Sequence, residues 1–194
     1  MSAGRRVPLA TARLLAEEVI GVLEGTATRI EIAGSIRRQA MSVGDIELVV
    51  VPDFEQVPCG LFGETRPVDR HFQRVQELLE QGFLTHRLDV NGRPACGPRY
   101  QRLSYEGLGL DLFCVQPPAQ FGLIKALRTG PAEFSKALVT KKFAGGLLPY
   151  GMQVEDGRIL DRGHPIDTPE EEDVFRVLGL NYIDPPERTL RFAG

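Results

Sequence analysis

The chain has 194 residues, 42% of them hydrophobic and 25% charged, a balance that suits one soluble globular domain or two small ones. Its net charge of −3 excludes a protein that clings to nucleic acid by bulk electrostatics, so any such attraction has to be local. No apolar run approaches the ~20 residues of a membrane helix, and the opening MSAGRRVPLATARLL lacks the long apolar segment of a secretory signal, so a cytoplasmic protein is expected.

Pro8 opens a helical segment in which Ala12, Leu15, Val19, Val22 and Leu23 recur at three- and four-residue intervals before Gly25 stops it. Residues 29–33 alternate around Ile30 and Ile32 as a short strand, and Gly34-Ser35 turns the chain into the pair Arg37-Arg38. Asp45 and Glu47 then alternate with Ile46, Leu48 and Val50 up to Pro52. A strand has a side-chain period of two, so both carboxylates face one side while the apolar residues anchor the other. Two acids held close on a rigid support repel unless a cation intervenes, which calls for a divalent metal. Residues 53–67, with Pro58, Gly60 and Gly63, read as a loop, and Val68, Phe72, Val75 and Leu79 as a helical stripe closed by Gly82.

Between residues 83 and 115 the pattern is one of short strands, broken by a hairpin turn at Asn91-Gly92 and again at Gly97-Pro98. The last, 109–115, sets Leu110, Leu112 and Cys114 against Asp111, Phe113 and Val115. A lone acid in such a strand is costly to bury unless paired or metal-bound, the alternative being an edge strand that exposes it. Beside the Asp45/Glu47 strand the metal-binding reading is favoured. Pro117-Pro118 stiffens a joint between two domains.

Two helices, 119–128 and 132–144, follow around Thr129-Gly130-Pro131. Within 121–150 the cations Lys125, Arg128, Lys136, Lys141 and Lys142 oppose only Glu133, a local charge of +4. Residues 147–159 read as a hairpin turning at Asp156-Gly157. Thr168 can cap the next helix, with Pro169 in its first position and Glu171 completing a capping box, which leaves the acids of 170–173 to the helix dipole. Gly179 ends that helix, and Asp184-Pro185-Pro186 forms a tail. Cys59, Cys96 and Cys114 are too scattered for a disulfide framework or structural zinc and read as buried thiols, while His71, His86 and His164 lack ligand spacing and read as surface or loop residues.

Three acids on neighbouring strands can hold a pair of Mg²⁺ ions roughly 3.5–4 Å apart, the arrangement that serves phosphoryl transfer. Gly34-Ser35 supplies backbone N–H groups and a hydroxyl, Arg38 can fork onto phosphate oxygens, and Gly44 permits close backbone approach. Together they describe a nucleoside triphosphate site. On these residues the chain resembles the catalytic part of the family X DNA polymerases, the DNA polymerase β group of the nucleotidyltransferase superfamily. Similar to the family pattern are VPLATARLLAEEVIGVL, AGSIRR, VGDIELVV, LDLFCVQPPAQFG, TGPAEF and GLNYIDPPER, almost end to end.

The resemblance implies an α+β fold, with a nucleotidyltransferase palm over 1–117 and a small C-terminal α/β closing domain over 118–194. It implies metal binding and catalysis by Asp45, Glu47 and Asp111, with Asp111 beside the primer 3′-hydroxyl. Triphosphate would fall to Gly34, Ser35, Arg38 and Gly44. Leu127, Arg128, Gly130 and Ser135 would line the incoming nucleotide, and Arg99, Lys125, Lys136, Lys141 and Lys142 would meet nucleic acid. The implied activity is template-directed transfer from dNTP to a DNA primer by a monomer with two Mg²⁺, or Mn²⁺. The alternative is untemplated NMP addition to a nucleic acid end, a small molecule or a protein hydroxyl. Glu47 stands where the polymerases usually have Asp, Leu127-Arg128 where they often have an aromatic pair, Ser135 for Asn and Pro131 for Ser. The sequence matches no N-terminal lyase or helix-hairpin-helix module, which places processive gap filling outside the expectation.

Overall fold

Residues 5–60 and 63–191 are described in the structure, a computed structural model. In chain order the elements are β1 (Val7–Pro8), α1 (Leu9–Leu23), β2 (Ala27–Ile32), α2 (Gly34–Arg37), β3 (Ser42–Val43), β4 (Asp45–Pro52), β5 (Phe54–Pro58), β6 (Thr65–Asp69), α3 (Arg70–Glu80), β7 (Thr85–His86) and β8 (Cys96–Gly97). There follow β9 (Tyr100–Tyr105), β10 (Leu108–Cys114), α4 (Phe121–Thr129), α5 (Ala132–Val139), β11 (Met152–Glu155), β12 (Arg158–Asp161), β13 (His164–Ile166), α6 (Glu171–Leu178) and α7 (Pro185–Arg191).

The central sheet has the order β2-β4-β10-β9-β7, with β8 also on β9. Only its middle pair, β4 with β10, is parallel, so the sheet is mixed. Ile46, Leu48 and Val50 of β4 and Leu110 and Leu112 of β10 turn to one face, where Ala12, Ala16, Val19 and Leu23 of α1 and Val75 and Leu78 of α3 cover them. The opposite face of β4 carries Asp45 and Glu47 at its start and Val49 and Val51 at its end. Phe121 of α4 with Val115 covers that apolar end. The acidic start lies against Gly34 of α2, so Asp45 and Glu47 are half-buried there. A separate core joins α4, α5, α6 and β12 through Leu123, Phe134, Leu138, Ile159, Val174 and Phe175. This is an α+β arrangement, a mixed sheet with packing helices, consistent with a nucleotidyltransferase-like palm.

Several local expectations are corrected. The loop expected over 53–67 is the hairpin β5–β6, and residues 61 and 62 within it, like 1–4 and 192–194 of the expected domain ranges, lie outside the described residues. Val68 belongs to β6, and α3 starts at Arg70 because the Asp69 carboxylate caps it, accepting from Phe72 N–H at 2.8 Å. His71 is fully buried on α3 rather than on the surface, and burial lowers its pKa. The three cysteines are half-buried free thiols. The second helix stops at Val139 because the chain folds back: Leu147 N–H takes the Ala137 carbonyl at 2.8 Å and Leu148 N–H that of Thr140 at 2.9 Å.

The expected hairpin of 147–159 gains a third strand, β13. Glu170, not Thr168, is the N-cap of α6, with Asp173 as its reciprocal partner, because the buried Thr168 hydroxyl donates to Ala119 O at 3.0 Å. The Asp184-Pro-Pro tail is the start of α7, where proline's fixed φ suits a first turn.

Candidate active site

Parallel pairing of β4 and β10 sets Gly109 opposite Asp45 and Asp111 opposite Glu47. With a two-residue period, Asp45, Glu47 and Asp111 share one face on two adjacent rungs. Burial and the neighbouring Asp111 raise the Asp45 pKa. Burial, then Asp45 and Asp111, push the Glu47 carboxyl up to about 7. Crowded, half-buried carboxylates of this kind favour either protonation or a cation between them.

Each acid is held differently. Asp111 is buried and accepts at both oxygens, from Tyr100 O–H at 2.6 Å and from Arg87 Nη2 at 2.5 Å. Glu47 leans against Gly34, the first residue of α2, where an added Cβ would overlap the carboxylate; the φ of +64° there is itself glycine-like. As the side chains stand, no three His, Cys, Asp or Glu among the described residues are gathered around one point.

Beside the acids, α2 follows β2 after a single extended residue, Ala33. Its Ser35 hydroxyl is buried and has no partner among the described residues, an orphaned donor at the place expected to take phosphate. Arg38 closes α2 and donates from Nη1 to the Thr129 carbonyl at the end of α4, and burial lowers its pKa. The guanidinium fits there because Gly130 has no side chain, a Cβ at that point lying 3.1 Å from Nη1. Gly44 plays the same part for Arg6, whose Nη1 lies 3.0 Å from where a Cβ would be and whose Nη2 bonds Ser42 O at 2.6 Å. The close backbone approach expected of Gly44 is made by an arginine of this chain.

The remaining expected residues divide. Arg128 is exposed, with its guanidinium 4.0 Å over the Phe113 ring, and Phe113 stacks on Tyr100 at 5.2 Å. Leu127 is half-buried on the second core. The Ser135 hydroxyl donates to Leu127 O at 2.6 Å, a backbone bond that withdraws it from a passing base. Arg99 is exposed and paired with Asp156 at 2.6 Å, on the rim of an open cleft of about 510 Å³ that Tyr100, Phe113 and Arg128 also line. This cleft meets the acid cluster through Tyr100, which donates to Asp111, and through Arg128, whose charge acts on Glu47. Lys136 and Lys142 are exposed without an ion-pair partner among the described residues. Lys141 instead donates to Met152 O, and Lys125 is buried with its ammonium on Glu31. Lys125 is therefore a tie between α4 and β2 and not an exposed cation, so the +4 counted along the segment overstates its outward charge.

The linear sequence did not single out Arg6, Arg87, Tyr100 or the cluster around Glu171. Glu171, fully buried, accepts from Arg37 of α2 at 2.6 Å, Arg188 of α7 at 2.7 Å and the Tyr182 hydroxyl at 3.0 Å. Arg29 adds a two-bond pair to Glu170, 2.7 Å at each oxygen. Charged residues in helices and short strands carry no sequence mark of such partners. A single signal was available: Arg5-Arg6 just before Val7-Pro8.

The chain is 27% identical over 175 residues to DNA polymerase lambda of Rattus norvegicus, an alignment covering 80% of this chain. It spans 28% of that polymerase's length. No protein-family profile matches the chain.

Proposed function

We propose that the chain transfers a nucleotidyl group from a dNTP to a DNA primer 3′-hydroxyl under template direction, as a minimal polymerase of the family X kind. One observation carries this reading: three carboxylates occupy two adjacent rungs of one sheet face beside a buried Ser35 hydroxyl that has no partner among the described residues. The distant similarity to a DNA polymerase supports it. Asp45, Glu47 and Asp111 would hold two divalent cations, Mg²⁺ or Mn²⁺, which when bound lower the pKa of the attacking hydroxyl and neutralise the triphosphate. Ser35, the α2 N–H groups and Arg38 hold phosphate oxygens, with Arg6 adding charge at the same edge. The residues from 118 onward form the closing domain, Arg37 and Arg29 tying it to the palm through Glu171 and Glu170.

Nucleic acid is met by Arg99 and by Lys136 and Lys142, the last followed in the chain by Phe143, which is 79% exposed. Replacing both lysines with alanine is expected to weaken primer-template binding about tenfold. It should also flatten the slope of log affinity against log salt by about two, one released counterion per lost phosphate contact. Fluorescence anisotropy across a salt series reads both; an unchanged slope removes these lysines from the interface.

The untemplated alternative keeps one specific support, the Ser135 hydroxyl spent on Leu127 O. Parallel incubation of a recessed primer-template and a single strand with each labelled dNTP separates the two: extension only by the complementary nucleotide is expected, and tailing of the single strand selects the alternative.

Glu47 also sets a pH dependence. Its folded pKa of about 7 lies above the ordinary 4.5. The stability associated with its protonated form is therefore complete below about 4.5 and lost as pH rises through about 7. Full ionisation costs the metal-free protein up to about 3 kcal/mol. Mg²⁺ is accordingly expected to raise the melting temperature more at pH 8 than at pH 6, and Glu47→Gln to abolish most of that difference. An equal Mg²⁺ shift at both pH values contradicts the assignment.

A further inference from the structure

We propose that Arg87 is a positioning residue for Asp111, admitted to the acid cluster by the side chain that Gly109 lacks. The inference rests on the nucleotidyl-transfer reading of the three acids.

The register explains the arrangement. Thr85, Ser104, Gly109 and Asp45 form one rung across β7, β9, β10 and β4. Arg102, Asp111 and Glu47 form the next, and Arg87 joins it through its N–H to Arg102 O at 3.2 Å. Strands are spaced about 4.8 Å apart, so Arg87 starts two strands, about 10 Å, from Asp111, a span for a long side chain only. The guanidinium lies over Gly109, where any Cβ would overlap Nη1, and the same point is 3.4 Å from the Asp45 Cβ. Its fork thus reaches between Asp45 and Asp111, giving Nη2 to Asp111. With Tyr100 on the other oxygen, both Asp111 oxygens are engaged. Nε of Arg87 is buried without a partner among the described residues, so this guanidinium is placed for the acid and not for a complete set of structural bonds.

A cation held at Asp111 would share that carboxylate with Arg87, which would fix its orientation and lower its pull on the cation. The test uses the full chain with Arg87→Ala, Gly109→Ala and the double variant, after thermal unfolding has established that each is folded. Single-turnover primer extension is measured, together with Mn²⁺ binding by calorimetry without nucleotide. Each single variant is expected to lose about 10²-fold in turnover, the scale of a small misplacement, with little change in the KM for dNTP. The double variant should lose no more than either single one, because both remove the same contact. Mn²⁺ should bind severalfold more tightly to Arg87→Ala, and added guanidinium ion should restore part of its turnover but none of that of Gly109→Ala, whose slot is filled. If Gly109→Ala does not fold, the Arg87→Ala binding and rescue measurements decide alone. Wild-type turnover and Mn²⁺ affinity in Arg87→Ala, or losses that multiply in the double variant, overturn the role of Arg87 while leaving nucleotidyl transfer in place. A wild-type chain that neither binds Mn²⁺ nor transfers nucleotides overturns the underlying reading and this inference with it.

Discussion

Replacing Asp45 with asparagine is expected to lower nucleotidyl transfer by at least about 10³-fold while raising the melting temperature of the metal-free protein at pH 8. A cation held at the acids supplies several kcal/mol of charge stabilisation, and about 4 kcal/mol is already a factor of 10³. Asparagine keeps the volume and one acceptor oxygen but removes the charge that completes the set. The stability change has the opposite sign. Asp45 is half-buried, Asp111 repels it, and it contributes in turn to the raised pKa of Glu47. Removing one of three crowded anions relieves the other two. Rapid-quench primer extension and a thermal melt on the same preparation measure both halves. Activity within tenfold of the parent sinks the two-metal proposal, and a lower melting temperature sinks the account of anion crowding.

The largest loss of stability is expected from Glu171→Ala, about 3–5 kcal/mol by urea denaturation. Glu171 and Arg188 are both fully buried, and the guanidinium of Arg188 lies among the rings of Phe134, Phe175 and Tyr182 at 5.0, 5.2 and 5.6 Å. Without Glu171 that charge has no route to solvent, and Arg37 loses the anchor that ties α2 to α6. Burial opposes ionisation of Glu171, but its hydrogen bonds to Arg188 and Arg37 prevail and hold its pKa at about 2, below the ordinary 4.5. Its stabilisation is therefore present above about 4.5 and lost as pH falls towards 2. The gap between wild type and variant should narrow only below about pH 4.5; a gap under about 1 kcal/mol at pH 7 contradicts the buried ion-pair account. Because Arg37 precedes Arg38, the variant should also raise the KM for dNTP.

What could be read from the linear sequence was what depends on near neighbours. Alternation in 45–50 and 109–115 put the acids on one face and the aliphatic residues on the other, and three- and four-residue spacing marked α1. Where short-range signals competed, reading failed: Thr168 had the form of a cap but was drawn away to Ala119 O, and the tail at Pro185 is equally compatible with a first helical turn. Buried His71 was missed because the stripe read through Phe72, Val75 and Leu79 is displaced from the buried set His71, Val75 and Leu78.

That Asp45 and Glu47 share one strand face follows from the sequence by itself, since the backbone period acts over two residues; the α+β class was implied by the family resemblance, and the turn expected at Gly34-Ser35 is the first turn of α2. Tertiary structure alone decided that Asp111 stands opposite Glu47, that Arg87 reaches it over Gly109, that Lys125 is spent on Glu31 and that Arg37, Glu171 and Arg188 close one buried cluster. The physical reason is common to all of them: strand register and charge pairing are set by which surfaces exclude water together, and partners as distant as Arg37 and Glu171, 134 positions apart, leave no periodic trace in the chain.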